Sequence, residues 1–131
     1  MKHTNINPWT WQDAFGFSQA IDVTDAQRVL YCSGQTSVDA DGAVLHAGDM
    51  RKQVVTAMAN LEAVLRDAGM DLRNVVRLKV YTTDVDRLLE HWKAMMERLN
   101  GVGCRPASTL LGVSRLAFPE LLVELEATAV S

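Results

Sequence analysis

Cysteine, histidine and proline are scarce in this sequence, and each scarcity removes a class of explanation. The two cysteines, Cys32 and Cys104, lie far apart, and neither has a second cysteine or a histidine at ligand spacing. They read as free thiols in a reducing cytosol rather than as a staple or a zinc knuckle. His3, His46 and His91 fall in different segments with no His-x-x-x-His relation, so no metal is expected. His46 and His91 read as surface side chains. Neither a glycine-rich phosphate loop nor a nucleophile elbow is present. No apolar run reaches membrane-spanning length, and the first residues are polar, without the pattern of a signal peptide. Positive charge is in deficit, with 13 Lys and Arg against 16 Asp and Glu. That balance lacks the basic footprint that counterion release demands, so no nucleic-acid partner is expected.

What is present suits an ordinary globular protein. Hydrophobic residues make up 48% of 131 positions and charged residues 22%, enough for a core and too few charges for disorder. The expectation is one domain spanning 1–131, with 1–16 as an N-terminal arm, in a soluble cytoplasmic protein. Trp9, Trp11, Phe15 and Phe17 crowd this first stretch, either as an arm packed on the core or as a ligand box.

Periodicity orders the remainder. Ser18–Val23 and Arg28–Ser33 read as strands, and Asp39-Ala40-Asp41-Gly42 as a tight turn returning through Ala43-Val44-Leu45. Asp49–Ala68 is the clearest helix. Asp49 is placed to cap it, Met50, Val54, Ala57 or Met58, Leu61 and Leu65 form one apolar stripe, and Gly69 stops it. Asn74–Thr83 reads as a strand with Val76, Leu78 and Val80 on one face. A second helix follows, capped by Asp84 or Asp86, with Leu88, Leu89, Trp92, Met95, Met96 and Leu99 on its apolar side. Arg105–Ser131 reads as two strands forming a hairpin through Phe118-Pro119-Glu120. Its second run alternates, with Leu121, Val123, Leu125, Ala127 and Ala129 on one parity and Glu124 and Glu126 on the other. This order predicts a mixed α/β sheet with both helices on one face. The other face carries Glu124, Glu126, Arg77, Lys79 and apolar residues, and its cover would have to come from another subunit.

The residues offer little chemistry that is specific. Glu124 and Glu126 point the same way, roughly 7 Å apart along a strand. One reading is a solvated or salt-bridged face, with Arg77 or Lys79 as partner. The other is a general base, since a buried glutamate with a raised pKa can move protons. The Ser33-Gly34-Gln35 turn and the Ser108-Thr109 hydroxyls could bind polar atoms of a small molecule, and Gly34 allows a close approach that other residues would resist.

These segments acquire meaning in order. Ser18-Gln19-Ala20, Ser33-Gly34-Gln35, Leu65-x-x-Ala68-Gly69, Val75-Val76 with Val80-Tyr81-x-x-Asp84, Pro106-Ala107, Ser114-Arg115-Leu116 and Val123-Glu124-Leu125-Glu126-Ala127 follow one another at spacings that resemble the RidA family, also called YjgF/YER057c/UK114. The likeness spans about residues 15–130. It implies a chorismate-mutase-like fold and a homotrimer whose sheets form a central barrel, with helices outside and sites in clefts between subunits. It further implies hydrolysis of reactive enamines and imines to keto products and ammonia, without a cofactor.

The departures from the family pattern bear on the substrate. Deaminating members carry Pro-Ala-Arg, where the arginine holds the substrate carboxylate, and this chain has Pro106-Ala107-Ser108. A serine hydroxyl does not replace a planar, permanently charged, bidentate donor. Arg105, three residues earlier, points to the opposite face of a regular strand. Phe17 stands at the family tyrosine, Trp92 at an asparagine and Leu110 at a cysteine, whereas Ser33, Gly34 and the water-positioning Glu124 are kept. The resemblance therefore implies a cleft in which Glu124 positions water and Phe17, Ser33, Gly34, Trp92, Ser108 and Thr109 bind the substrate. An imine without a carboxylate, or a larger aromatic or cyclic one, suits it better than a simple 2-imino acid. The alternative is a non-catalytic trimer that binds a small metabolite or regulates a partner enzyme.

Overall fold

The apolar stripe between Asp49 and Ala68 becomes the longest element, helix α1 (Met50–Asp67), in a computed structural model that describes residues 1–131. The Asp49 side chain accepts the Lys52 amide at 3.0 Å, which satisfies one of the free donors of the first turn and holds the Asp49 carboxyl below the usual carboxylate range. Gly69 takes a φ of +74°, and the chain turns back so that the Met70 amide meets the Leu65 carbonyl at 2.8 Å. Met50, Val54, Ala57, Met58, Leu61 and Leu65 are all buried. Gln53 is buried among them. Its amide nitrogen donates to the carbonyls of His46 and Glu120, and its oxygen accepts the Leu122 amide at 2.8 Å.

The sheet under α1 runs in the order β3 (Val29–Tyr31), β6 (Val123–Val130), β4 (Val75–Thr82), β5 (Ala107–Gly112). The expected hairpin of the last two runs does not form. β6 enters between β3 and β4 and is antiparallel to both, while β5 lies on the far side of β4 and parallel to it. A parallel neighbour requires a crossover, which the helical segment between β4 and β5 supplies. In β6 the alternation holds: Leu121, Val123, Leu125, Ala127 and Ala129 are buried, and Leu122, Glu124, Glu126 and Thr128 are half-buried on the other side. In β4 a bulge at Val76 shifts the register between Val75 and Arg77, so the buried residues are Val75, Leu78, Val80 and Thr82, and Val76 leaves the expected face.

The second helix is broken. Asp84 caps a short α2 (Val85–Leu89), accepting the Arg87 amide, and α3 (Trp92–Gly101) starts afresh after Glu90-His91. Leu88, Met95, Met96 and Leu99 enter the same core as α1, whereas Leu89 stays 44% exposed. The turn at Asp39–Gly42 forms, with the Asp39 carboxylate accepting the Asp41 and Ala43 amides, but its flanks pair only through Val38 and Val44. The opening residues do more than their lack of period implied. Lys2–Ile6 is a strand, β1, paired antiparallel to β2 (Ala20–Thr24) as a separate two-stranded sheet. A 3-10 turn at Trp11–Phe15 connects them and rests on α3, where the Trp92 indole N–H donates to the Phe15 carbonyl at 2.9 Å. The result is an α+β fold whose mixed sheet has helices on one face only.

Candidate active site

The residues nominated from sequence divide between the two faces of the sheet. On the open face, Gln35 and Leu125 exchange both backbone hydrogen bonds, at 2.7 and 2.9 Å, which lays Ser33-Gly34-Gln35 alongside β6. Glu124 then faces Gly34 directly: a β-carbon on Gly34 would stand 2.6 Å from the Glu124 carboxyl carbon. Any larger residue would displace the carboxylate. Ser33 is exposed beside it, and its carbonyl accepts the Gln35 side-chain amide. Thr109 lies on this face too, accepting from Arg77 at 3.3 Å. The ion pair foreseen for the glutamates forms at Glu126 alone, which meets Lys79 at 3.5 Å. Glu124 has no cation partner. Burial pushes its carboxyl above the usual 4.5, and the charge of Glu126 adds to the rise.

On the helix-covered face, Ser108 sits opposite Leu78 and Leu110 opposite Val80. Together with Trp11, Phe15, Phe17, Leu89 and Trp92 they line a cavity of about 230 Å³. Trp11 meets Phe15 and Phe17 edge-on, with ring centroids 6.4 and 5.7 Å away. Ser108 is the only polar residue in this lining, and its Oγ is the only buried side-chain nitrogen or oxygen in the chain without a hydrogen-bond partner. Arg105 takes no part: its guanidinium pairs with Asp13 at 3.3 Å and donates to the Asp13 carbonyl. A wider groove of about 730 Å³ adjoins the cavity along α3, sharing Phe15, Leu89 and Trp92 and adding Lys93, Glu97 and Asn100.

One chain thus brings Phe17, Trp92 and Ser108 together, and separately Gly34, Glu124 and their neighbours, but not the two groups with each other. Adjacent residues of a strand point to opposite faces, so Ser108 and Thr109 cannot serve one site from one chain. Trp11 and Phe15 read in the sequence first as an arm packed on the core and second as a ligand box. They are 58% and 43% exposed and wall the cavity rather than filling the core. Leu110, at the family's cysteine position, completes it together with Leu89, which carries no sequence signal of that role. Neither thiol joins either group: Cys104 donates to the Val75 carbonyl, and burial pushes its pKa up to about 12.

A family model described as endoribonuclease L-PSP matches residues 11–131. A crystal structure of the Rid family protein YyfB from Yersinia pestis, itself described as of unknown function, superposes with a TM-score of 0.89 at 35% identity, covering 100% of both chains. The chain belongs to the RidA family. A RutC family protein of Aquifex aeolicus is 30% identical over 87% of each sequence. The mouse 2-iminobutanoate/2-iminopropanoate deaminase is 34% identical over 53% of this chain and 50% of its own length. The mixed sheet with helices on one face is the fold shared with the YyfB structure.

Proposed function

We propose that this chain is a metal- and cofactor-independent hydrolase of a reactive imine or enamine, acting at a cleft between subunits of a cytoplasmic homotrimer. The observation that carries the reading is the pairing of Gly34 with a Glu124 carboxyl of raised pKa, free of any cation, on a sheet face that no helix covers. A second subunit placed on that face would exclude water around Glu124 and bring another chain's Phe17, Trp92 and Ser108 opposite it. Glu124 then accepts a proton from water as the water oxygen bonds to the imine carbon. It passes this proton to the nitrogen, giving a carbinolamine. It then takes the carbinolamine hydroxyl proton and delivers it to nitrogen as the carbon–nitrogen bond breaks, which leaves a carbonyl and ammonia; an enamine enters the same sequence as its imine tautomer. Imines already hydrolyse in water, so modest acid–base assistance suffices. The imine deaminases among its relatives support this class of reaction. Serine at position 108 and the apolar cavity beside it support a substrate other than a simple 2-imino acid. A net charge of −3 disfavours the ribonuclease activity named in the family description.

Ammonia release from 2-aminoacrylate and from a panel of imines, with and without the protein, tests the reading. Acceleration that disappears in Glu124→Ala, with a trimer mass by light scattering, is the expected result. No acceleration across the panel, together with saturable ligand stabilisation, favours a trimer that binds a metabolite or a partner enzyme, the role that the serine at 108 favours.

A further inference from the structure

We propose that the cavity walled by Trp11, Phe15, Phe17 and Trp92 takes a neutral ligand built on one flat aromatic ring with a single hydrogen-bond acceptor, and that Ser108 is the residue that reads this acceptor. The assignment names a substrate class for the cleft proposed above and rests on that reading. Three features of the cavity carry it.

Its size suits one ring. An apolar cavity of about 150 Å³ accommodates benzene, and a water-sized atom group takes about 30 Å³. The 230 Å³ here therefore has room for a six-membered ring and about two or three further heavy atoms, with any longer substituent running into the groove along α3. Its walls select flatness. Trp11 stands edge-on to Phe15 and Phe17, and the tie from the Trp92 indole N–H to the Phe15 carbonyl fixes the fourth aromatic side chain. Aromatic walls gain more from a ring set edge-to-face or offset against them than from a branched aliphatic group of equal volume.

Its charge selects neutrality. No cationic side chain lines it: Arg105 is occupied by Asp13, and Lys93 belongs to the outer groove. A carboxylate placed here would be stripped of water with no partner. What the lining does offer is one hydroxyl with its hydrogen-bonding capacity unused. An imine nitrogen or carbonyl oxygen on the ring substituent would accept from it, recovering the cost of leaving a buried hydroxyl unpaired.

Acetophenone and phenylglyoxylate form a matched pair of probes, sharing ring and ketone and differing by the carboxylate. Binding to the intact oligomer is followed by calorimetry and by quenching of tryptophan fluorescence, for which Trp11 and Trp92 are reporters within the wall. Acetophenone is expected to bind at least about tenfold more tightly than phenylglyoxylate. Ser108→Ala should weaken acetophenone by about three- to tenfold, and Ser108→Arg should reverse the preference. Equal or tighter binding of phenylglyoxylate, saturation by neither probe, or an acetophenone affinity unchanged in Ser108→Ala each overturns the proposal. Turnover separates it from the reading on which it rests. If acetophenone binds as expected but its imine is hydrolysed no faster than in buffer, the ligand class stands and the hydrolase reading fails. If imines are hydrolysed without this discrimination, the reverse holds.

Discussion

Gly34 and Glu124 are interlocked across the open face: a methyl group at residue 34 would approach the Glu124 Oε1 to 2.8 Å and its Cγ to 2.9 Å. Gly34→Ala should therefore leave the fold intact and move the carboxylate. A displacement of about 1 Å at a reacting group costs on the order of 10²-fold in rate. Turnover of the best imine in the panel should fall by about that factor, with an unchanged circular dichroism spectrum and oligomer mass. Wild-type turnover in this variant would mean that Glu124 does not act from its observed position.

The raised pKa of Glu124 has a signed consequence for both rate and stability. Water activation needs the carboxylate, so the rate should rise with pH through a limb set above the usual 4.5. Folding stability moves the other way. The folded state holds the proton to higher pH than the unfolded state, so this group's contribution falls as pH rises from its ordinary value through its folded one. Burial is the larger cause and Glu126 the smaller. Glu126→Gln should therefore shift the acid limb toward lower pH without abolishing it. The pH–rate profiles of the two proteins, measured side by side, check this.

Gln53 stitches three segments together, and its loss should be costly. Gln53→Ala removes two donations, to His46 and Glu120, and leaves the Leu122 amide without its acceptor. A buried group left unpaired costs about 1–3 kcal/mol. Urea denaturation should show a loss of about 3 kcal/mol, larger than expected from truncating an amide on a surface helix.

The open face should fail as an interface when a charge is placed on it. Leu111 sits opposite Tyr81 on that face and is 50% exposed in one chain. In the proposed trimer, Leu111→Arg would bury an unpaired cation between subunits. Light scattering at micromolar concentration should report a mass below that of the trimer, with the helical signal retained. An undiminished trimer would place the interface elsewhere.

The elements that were legible in the sequence are those whose exposure alternates. α1 was readable because one stripe faces the sheet and because Asp49 and Gly69 mark its ends. The face assignment of β6 was readable because every second residue is buried. β1 was not, since all five of its residues are exposed and carry no period. The hairpin expected of the last two runs fails because strands adjacent in sequence are not adjacent in space here: β6 inserts between β3 and β4 and leaves β5 at the edge. The bulge at Val76 and the break at Glu90-His91 have no glycine or proline to announce them. In the site, alternation already places Ser108 and Thr109 on opposite faces. The aromatic wall was harder to foresee, because Trp11 and Phe15 meet Trp92 only through a turn without period.

The central position of β6 also bears on how the molecule assembles. β3 pairs with it between Val29 and Val130, across most of the chain, and β4 has no neighbour on that side until β6 arrives. Closing so long a loop before the β3–β6 ladder forms slows folding, and the bare flank of β4 is open meanwhile to the wrong chain. Refolding yield should therefore drop with protein concentration well before native stability is in question.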